Sequence, residues 1–329
     1  MREPRVILMD RHQPLAPPQL DRLARFGAEH CVDIHCHCLP GLDDGPATLD
    51  EAVALCRALV ADGITAAVAT PHQLGRYDLQ NGATEVRRAV AGLREALATE
   101  GVPLRVEPGA DVRVDERLPR LLDLGHVLTL ADGGAYVLLE LPHETYIEPL
   151  PLLRTLVARG LRPVVSHPER HEHVAKRPKL VVPWLQHGAT LQVTAGSLAG
   201  DFGSSAERCA WDLVTAGSVA FVASDAHGAK RRPPRMTAAT ELIERRLGRA
   251  AAWRLCVDNP ARVLAARQAG ESARGATSGE TAAPAAGGTA ARPAWGVRWG
   301  RRGGTGTGTG KGTGTGTANH ESMVQHRVG

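Results

Sequence analysis

Between residues 31 and 268, short apolar or β-branched runs alternate with longer stretches whose apolar residues recur at helical spacing. Runs of the first kind, bounded by turn residues, predict strands, and the stretches between them predict helices. Strands are expected at 31–36, 64–69, 104–107, 136–140, 162–166, 189–194 and 219–224. Each is followed by a turn and a helical pattern. The clearest helix is 48–61, where Thr48 and Glu51 have capping-box spacing and Leu49, Val53, Cys56 and Val60 are spaced to share one face. Seven β-α units suit a parallel sheet closed, or nearly closed, into a barrel.

The pattern fails at both ends, which divides the chain into three parts. Residues 1–30 carry Pro4, Pro14, Pro17 and Pro18 with no consistent period and read as an N-terminal extension. Residues 31–268 form the folded domain. Residues 269–329 are rich in Gly, Ala and Thr, with Thr-Gly repeats through 305–317, and bury too little apolar surface to fold, so a disordered tail dispensable for activity is expected.

Polar residues with chemistry to offer gather at the carboxyl ends of the expected strands. They are His35 and His37 after the first, His72 after the second, Asp111 after the third, Glu140 on the fourth, His167 after the fifth, and Asp225 with His227 after the seventh. In (β/α) barrels these ends converge on one face, so residues distant in sequence meet. By strand alternation, Asp33, His35 and His37 project one way and Ile34, Cys36 and Cys38 the other. Imidazole and carboxylate together suit Zn, Mn or Fe, and His35 and His167 are expected in a solvent-facing mouth.

Other readings of single residues are blander. Cys36 and Cys38 read as small core residues facing away from the histidines. Cys256 and Arg262 have Cys-x5-Arg spacing, but the intervening Val-Asp-Asn-Pro-Ala lacks the glycines that let backbone amides cradle a phosphate. His171 and His173 read as a solvated helix start, and His126, His143 and His187 as surface or loop residues, with His143 near enough to Glu140 to line the mouth. Asp33 and Asp43 are expected to orient ligands, Gln192 to face the same mouth, and Asn259-Pro260 to begin a helix.

Composition narrows the function classes. From Gly270 onward seven cations oppose three anions, which accounts for the whole formal net charge of +4 and leaves the body neutral. With 3% aromatic residues as well, a nucleic-acid groove is disfavoured, and so is an exonuclease. Six scattered cysteines are too few for a disulfide scaffold in 329 residues, and no run is long and apolar enough to insert in a membrane. A cytoplasmic setting is expected.

Read in order, the strand-end segments are DIHCHCLPGLDDG at 33–45, ATPH at 69–72, PGAD at 108–111, LLELP at 138–142, SHPER at 166–170 and ASDAH at 223–227, the last followed by RRPP. Over residues 31–265 this series resembles the polymerase-and-histidinol-phosphatase (PHP) superfamily. Within it the chain is most similar to bacterial manganese-dependent protein-tyrosine phosphatases of capsule and exopolysaccharide synthesis. The resemblance implies an α/β fold, a distorted (β/α)7 barrel, and a site for two or three ions, Mn²⁺ foremost, with Fe, Zn or Co acceptable. It assigns His35, His37 and Asp225 to a first metal, Glu140 and His167 to a second, and Asp44, His72 and His227 to a third. Asp111 stands where that family has a bridging glutamate, one methylene longer.

The chemistry implied is hydrolysis of phosphotyrosine, with divalent ions activating water for in-line attack on phosphorus. Arg170 and Arg232 are placed to neutralise phosphoryl charge, and Asp225 and His227 to take part in catalysis, since a protonated member of the His/Asp set could supply the leaving-group proton. The partner implied is a phosphotyrosine protein, a bacterial tyrosine kinase in particular. A homo-oligomer is compatible with the sequence. Two alternatives are a histidinol-phosphate phosphatase and a non-catalytic regulatory module descended from such an enzyme.

Overall fold

The computed structural model describes residues 31–143 and 145–266; the predicted extension and tail lie outside them. Nine strand segments are present among these residues: β1 Cys31–Cys36, β2 Ile64–Ala69, β3 His72–Gln73, β4 Arg105–Pro108, β5 Asp111–Arg113, β6 Tyr136–Glu140, β7 Arg162–Ser166, β8 Thr190–Thr194 and β9 Phe221–Ala223. They amount to seven strands, because β2 and β3 are one strand broken at Thr70-Pro71, and β4 and β5 are one broken at Gly109-Ala110. Every pairing is parallel, in the orders β1-β2-β4 and β3-β5-β6-β7-β8-β9. The last strand closes on the first through a Cys36–Ala226 bridge, with the His37 amide donating to the Ala226 carbonyl at 2.9 Å and the Asp225 amide to the His35 carbonyl at 2.8 Å. The result is a distorted (β/α)7 barrel.

The distortion has local causes. A Cβ on Gly109 would lie 2.6 Å from Val68 Cγ1, so only glycine lets the third strand press against the second where both bend. Between β4 and β6 the turn Leu130–Asp132 packs against β2, β4 and β6. Leu130 and Ala131 thereby enter an interior cluster with Val32, Ile34, Ala66, Val68, Leu138, Val164, Phe221, Val263 and Leu264. This cluster fills the barrel below its carboxyl-terminal face, and the larger cluster lies between sheet and helices. Water can therefore reach the strand ends from one face only.

Three local expectations are corrected. Val32 and Ile34 share the interior side with the His35 ring, while Cys36 and Cys38 pack in the outer cluster, so alternation changes phase between Ile34 and His35. The cause is a pairing irregularity between Asp33 and Cys36, where the Asp33 carboxylate accepts the His35 amide. Leu49 is 44% exposed, and the first helix, Leu49–Ala61, buries Ala52, Val53, Leu55, Cys56 and Leu59 instead, although its Thr48 cap forms as expected. Asn259 does not begin a helix. The chain is already helical there, and a π-turn at Arg254–Asp258 precedes Pro260, which has no N–H to donate.

Candidate metal centre

The turn after β1 folds back over the strand end because residue 45 is glycine: a Cβ there would sit 2.5 Å from the His37 carbonyl oxygen. This brings Asp43 onto His37, whose Nδ1 lies 2.6 Å from Asp43 Oδ2, and carries Asp44 to the rim. The Asp43 carboxylate also accepts the amides of Gly45 and His72 at 3.0 Å each, joining the first two strand ends. Asp33 does comparable work on the other side, accepting from the Ser224 amide at 3.0 Å and from the Ser224 hydroxyl next to Asp225.

Three histidines are locked in one tautomer. His35 Nδ1 donates to Gln192 Oε1 at 2.9 Å, an oxygen that also accepts the His167 amide; His37 Nδ1 donates to Asp43; His227 Nδ1 donates to the Asp225 carbonyl at 2.9 Å. Each therefore directs its Nε2 into the site. The lone pairs of His35 Nε2 and His37 Nε2 face each other at 3.1 Å, which calls for a cation between or beside them. His167 and Asp225 occupy left-handed backbone at φ 30° and 51°, strain held where it aims donors inward.

All nine sequence-expected donors meet in this region, in sets whose ligating atoms lie within 4.8 Å of one another. The three expected groups lie within these sets, which extend them: His35 Nε2, His37 Nε2 and Asp225 Oδ1 are within 3.5 Å of one another, and Glu140 with His167, and Asp44 with His72 and His227, recur with added members. His37 joins Asp44, His72 and His227; His35 joins His167 and Asp225, and also His37 and Asp111; Glu140 joins His143 and His167, and also His72 and Asp111. Asp111 is central: its Oδ2 lies 3.6 Å from His35 Nε2 and 3.7 Å from both His72 Nδ1 and His167 Nε2. Both its oxygens are buried without a hydrogen-bond partner, as are His72 Nδ1 and His227 Nε2. Orphaned donors of this kind fit divalent cations with mixed nitrogen and oxygen coordination.

The expected solvent-facing mouth is deeper than its sequence suggested. His35 and Asp111 are fully buried, and His37, Asp225 and His167 nearly so, whereas Asp44 and His72 form the rim at 42% and 16% side-chain exposure. Burial pushes His35 down to about 4 and His37, which also feels His227, to about 3, so both are neutral ligands at pH 7. Burial and the Arg170 charge hold His167 well below the ordinary imidazole range. Burial and the nearby Glu140 charge push Asp111 well up. Burial alone would raise Glu140, but a hydrogen bond with His143 and the charges of His72 and Arg113 hold it at about 2. His72 goes up to about 9, because its bond to Asp44 and the charges of Asp111 and Glu140 outweigh burial. A cation among these donors would oppose both upward shifts.

Arg170 and Arg232 converge from different loops on one atom, Asp225 Oδ2, Arg232 Nη2 at 2.5 Å. Burial would raise Asp225, but His35 and these two arginines hold it well below the usual carboxylate range. The other oxygen, Oδ1, lies 3.3 Å from His35 Nε2 and 3.5 Å from His37 Nε2, on the donor side. Asp225 thus separates the metal-ligating side from the arginine side of a cleft of about 190 Å³.

The same cleft contains residues that sequence reasoning passed over. Arg113 reaches Glu140 Oε2 at 3.0 Å, and Tyr77 stacks on His72 with ring centroids 5.6 Å apart and 12° between planes. His143, expected only to line the mouth, brings Nε2 to 3.5 Å from Glu140 Oε1 and stacks on His167. Arg113 follows Asp111 at strand period and His143 follows Glu140 by three residues, signals available in the sequence; Tyr77 ends a short 3-10 turn that carries none.

Comparison with known proteins gives the family. Residues 31–265 match the family described as capsular polysaccharide synthesis, CpsB/CapC. The tyrosine-protein phosphatase YwqE of Bacillus subtilis is 37% identical over 221 residues, 66% of this chain and 85% of its own. The putative tyrosine-protein phosphatase CapC of Staphylococcus aureus is 30% identical over 61% of this chain and 79% of its own. A crystal structure from work on YwqE of Bacillus subtilis and CpsB of Streptococcus pneumoniae, described as unique metal-dependent tyrosine phosphatases, matches with a TM-score of 0.69 at 34% identity, covering 72% of this chain and 95% of that one.

Proposed function

The chain belongs to the CpsB/CapC family of capsular polysaccharide synthesis, and we propose that it is a metal-dependent protein-tyrosine phosphatase. The observation that carries this reading is the position of Asp225, with one oxygen facing imidazole donors and the other held by two arginines. That arrangement suits a phosphoryl group lodged between cations and guanidinium groups.

The residues that would hold the ions are His35, His37, Asp44, His72, Asp111, Glu140, His167, Asp225 and His227, with His143 added beside Glu140. When bound, divalent ions activate water for in-line attack on phosphorus and neutralise the phosphate oxygens. Mn²⁺, as two or three ions, is the assignment we favour, and the donor set of imidazole and carboxylate without thiolate supports it. Arg170 and Arg232 present N–H groups to the phosphoryl oxygens and offset charge that develops there. Gln192 and Asp43 keep His35 and His37 in the ligating tautomer throughout. The departing oxygen calls for a proton donor. Phenolate leaves readily, so this demand is modest.

The protein substrate we propose is a bacterial tyrosine kinase that governs capsule or exopolysaccharide production. A cytoplasmic setting is supported by free thiols at all six cysteines, and no helix among the described residues is long and apolar enough to cross a membrane. Turnover of a phosphotyrosine peptide and of histidinol phosphate, each with Mn²⁺, tests the reading. Hydrolysis of the peptide is expected, and activity confined to histidinol phosphate would refute it.

A further inference from the structure

Phe202 belongs to none of the donor sets, yet it touches both arginines of the cleft. Its ring centroid lies 4.6 Å from Arg170 Cζ and 5.8 Å from Arg232 Cζ. The two guanidinium groups are drawn to one carboxylate oxygen and repel each other as like charges. An aromatic face beside them offers a negative quadrupole and occupies none of their N–H donors. A carboxylate in that place would hold them more strongly but would consume the donors a phosphoryl group needs.

The surroundings are built to keep the ring there. A Cβ on Gly196 lies 3.1 Å from Phe202 Cε2 and from Asp201 Oδ2, so a larger residue at 196 would displace the ring. Asp201, its neighbour, is tied to Arg235 at 3.0 Å. On the arginine side, Arg232 has left-handed backbone at φ 52°, fixed by the His227 amide donating to its carbonyl at 3.0 Å, and its buried Nε has no hydrogen-bond partner. The base of this side chain is anchored; its head is held only by Asp225 and the ring. Phe202, Arg232, Gly196 and Pro233 also line a second cavity of about 260 Å³ behind the arginine, into which the guanidinium could retreat if the ring were lost.

We propose that Phe202 is a positioning residue that holds Arg170 and Arg232 with their N–H edges toward the phosphoryl site. The proposal rests on the phosphatase reading above and deepens it. Its test is Phe202→Leu, which keeps apolar volume and removes the π face, beside Phe202→Tyr, which keeps the face, and Phe202→Met as a second apolar control. With Mn²⁺ and a phosphotyrosine peptide, the Leu and Met variants are expected to lose about tenfold in kcat/KM, mainly in kcat. Inorganic phosphate, titrated calorimetrically into each protein with and without Mn²⁺, should bind more weakly to Leu and Met by a similar factor. The Tyr variant should stay within about twofold of wild type, and metal content and melting temperature should hold in all three. Wild-type kinetics and phosphate affinity in the Leu and Met variants would overturn the proposal. An equal loss in Leu, Met and Tyr with lowered melting temperature would overturn it too, by showing that the ring only fills space. Failure of the underlying reading looks different, since wild type itself would then leave phosphotyrosine intact while the phosphate titrations still rank the variants.

Discussion

Asp43 holds His37 by a 2.6 Å hydrogen bond to Nδ1, and it does so from a turn that also secures the amide of His72. One carboxylate thereby sets the tautomer of a buried ligand and the position of a second strand end. Its pairing with His37, the hydrogen bond from the Gly45 amide and the nearby His72 charge overcome burial to hold Asp43 at about 2, so it stays ionised at any working pH. Asp43→Ala should lower metal affinity 10–100-fold with a smaller effect on fold, read by competition with a chromogenic chelator. Asp43→Asn keeps one acceptor and should fall between; equal affinity in all three proteins would contradict the role.

How much of this was legible in the sequence depends on whether a residue's role is local. His35, His37 and Asp44 sit in one thirteen-residue segment, and Glu140, His167 and Asp225 mark strand ends that hydrophobic runs announce. What failed was decided by contacts across the barrel. The phase change before His35 arises from pairing with β2, and the depth of His35 and His167 from the interior cluster beneath them. That His37 belongs both with His35 and Asp225 and with Asp44, His72 and His227 follows from the closure of the last strand on the first. Phe202 carries no pattern at all, because only the fold brings it to arginines 32 and 30 residues away in sequence.

Asp33 predicts a pH-dependent stability in the metal-free protein. Burial raises its pKa to about 6, against its hydrogen bonds from Ser224 and His35. A carboxyl raised on folding binds more protons in the folded state, so its contribution is fully present below the unfolded value of roughly 3.9 and is lost as pH rises through about 6. The loss is about 3 kcal/mol by pH 8. Asp33→Asn retains an acceptor for both amides and can donate to the Ser224 hydroxyl. Denaturant unfolding in chelator should find the variant equal to or below wild type near pH 4 and more stable at pH 8. A difference independent of pH would rule this out.

His72 predicts proton release on metal uptake. Without metal its bond to Asp44 and the charges of Asp111 and Glu140 keep it protonated to about pH 9 despite burial, and a ligating imidazole must be neutral. Apparent affinity should therefore rise between pH 7 and 9. Calorimetry in two buffers of different ionisation enthalpy should register protons released at pH 7, fewer in His72→Asn. Identical heats in both buffers would exclude His72 as a ligand.

The sharpest separation of stability from function falls on Asp111. In the metal-free protein it is a fully buried carboxyl with both oxygens unpartnered, among groups that burial and Glu140 force toward the protonated form. Removing its charge should therefore relieve the apo-protein while weakening cation binding, because its Oδ2 is within 3.7 Å of three imidazole nitrogens that belong to different donor sets. Asp111→Asn is expected to melt no lower than wild type in chelator, to gain less from added Mn²⁺, and to retain fewer ions by elemental analysis. Asp111→Glu tests the length of the bridge. The added methylene must fit beneath His35 and His167 in a space already buried, so the variant should lose apo-stability yet still bind metal. An Asn variant that loads and melts as wild type does would show that this carboxylate holds no ion.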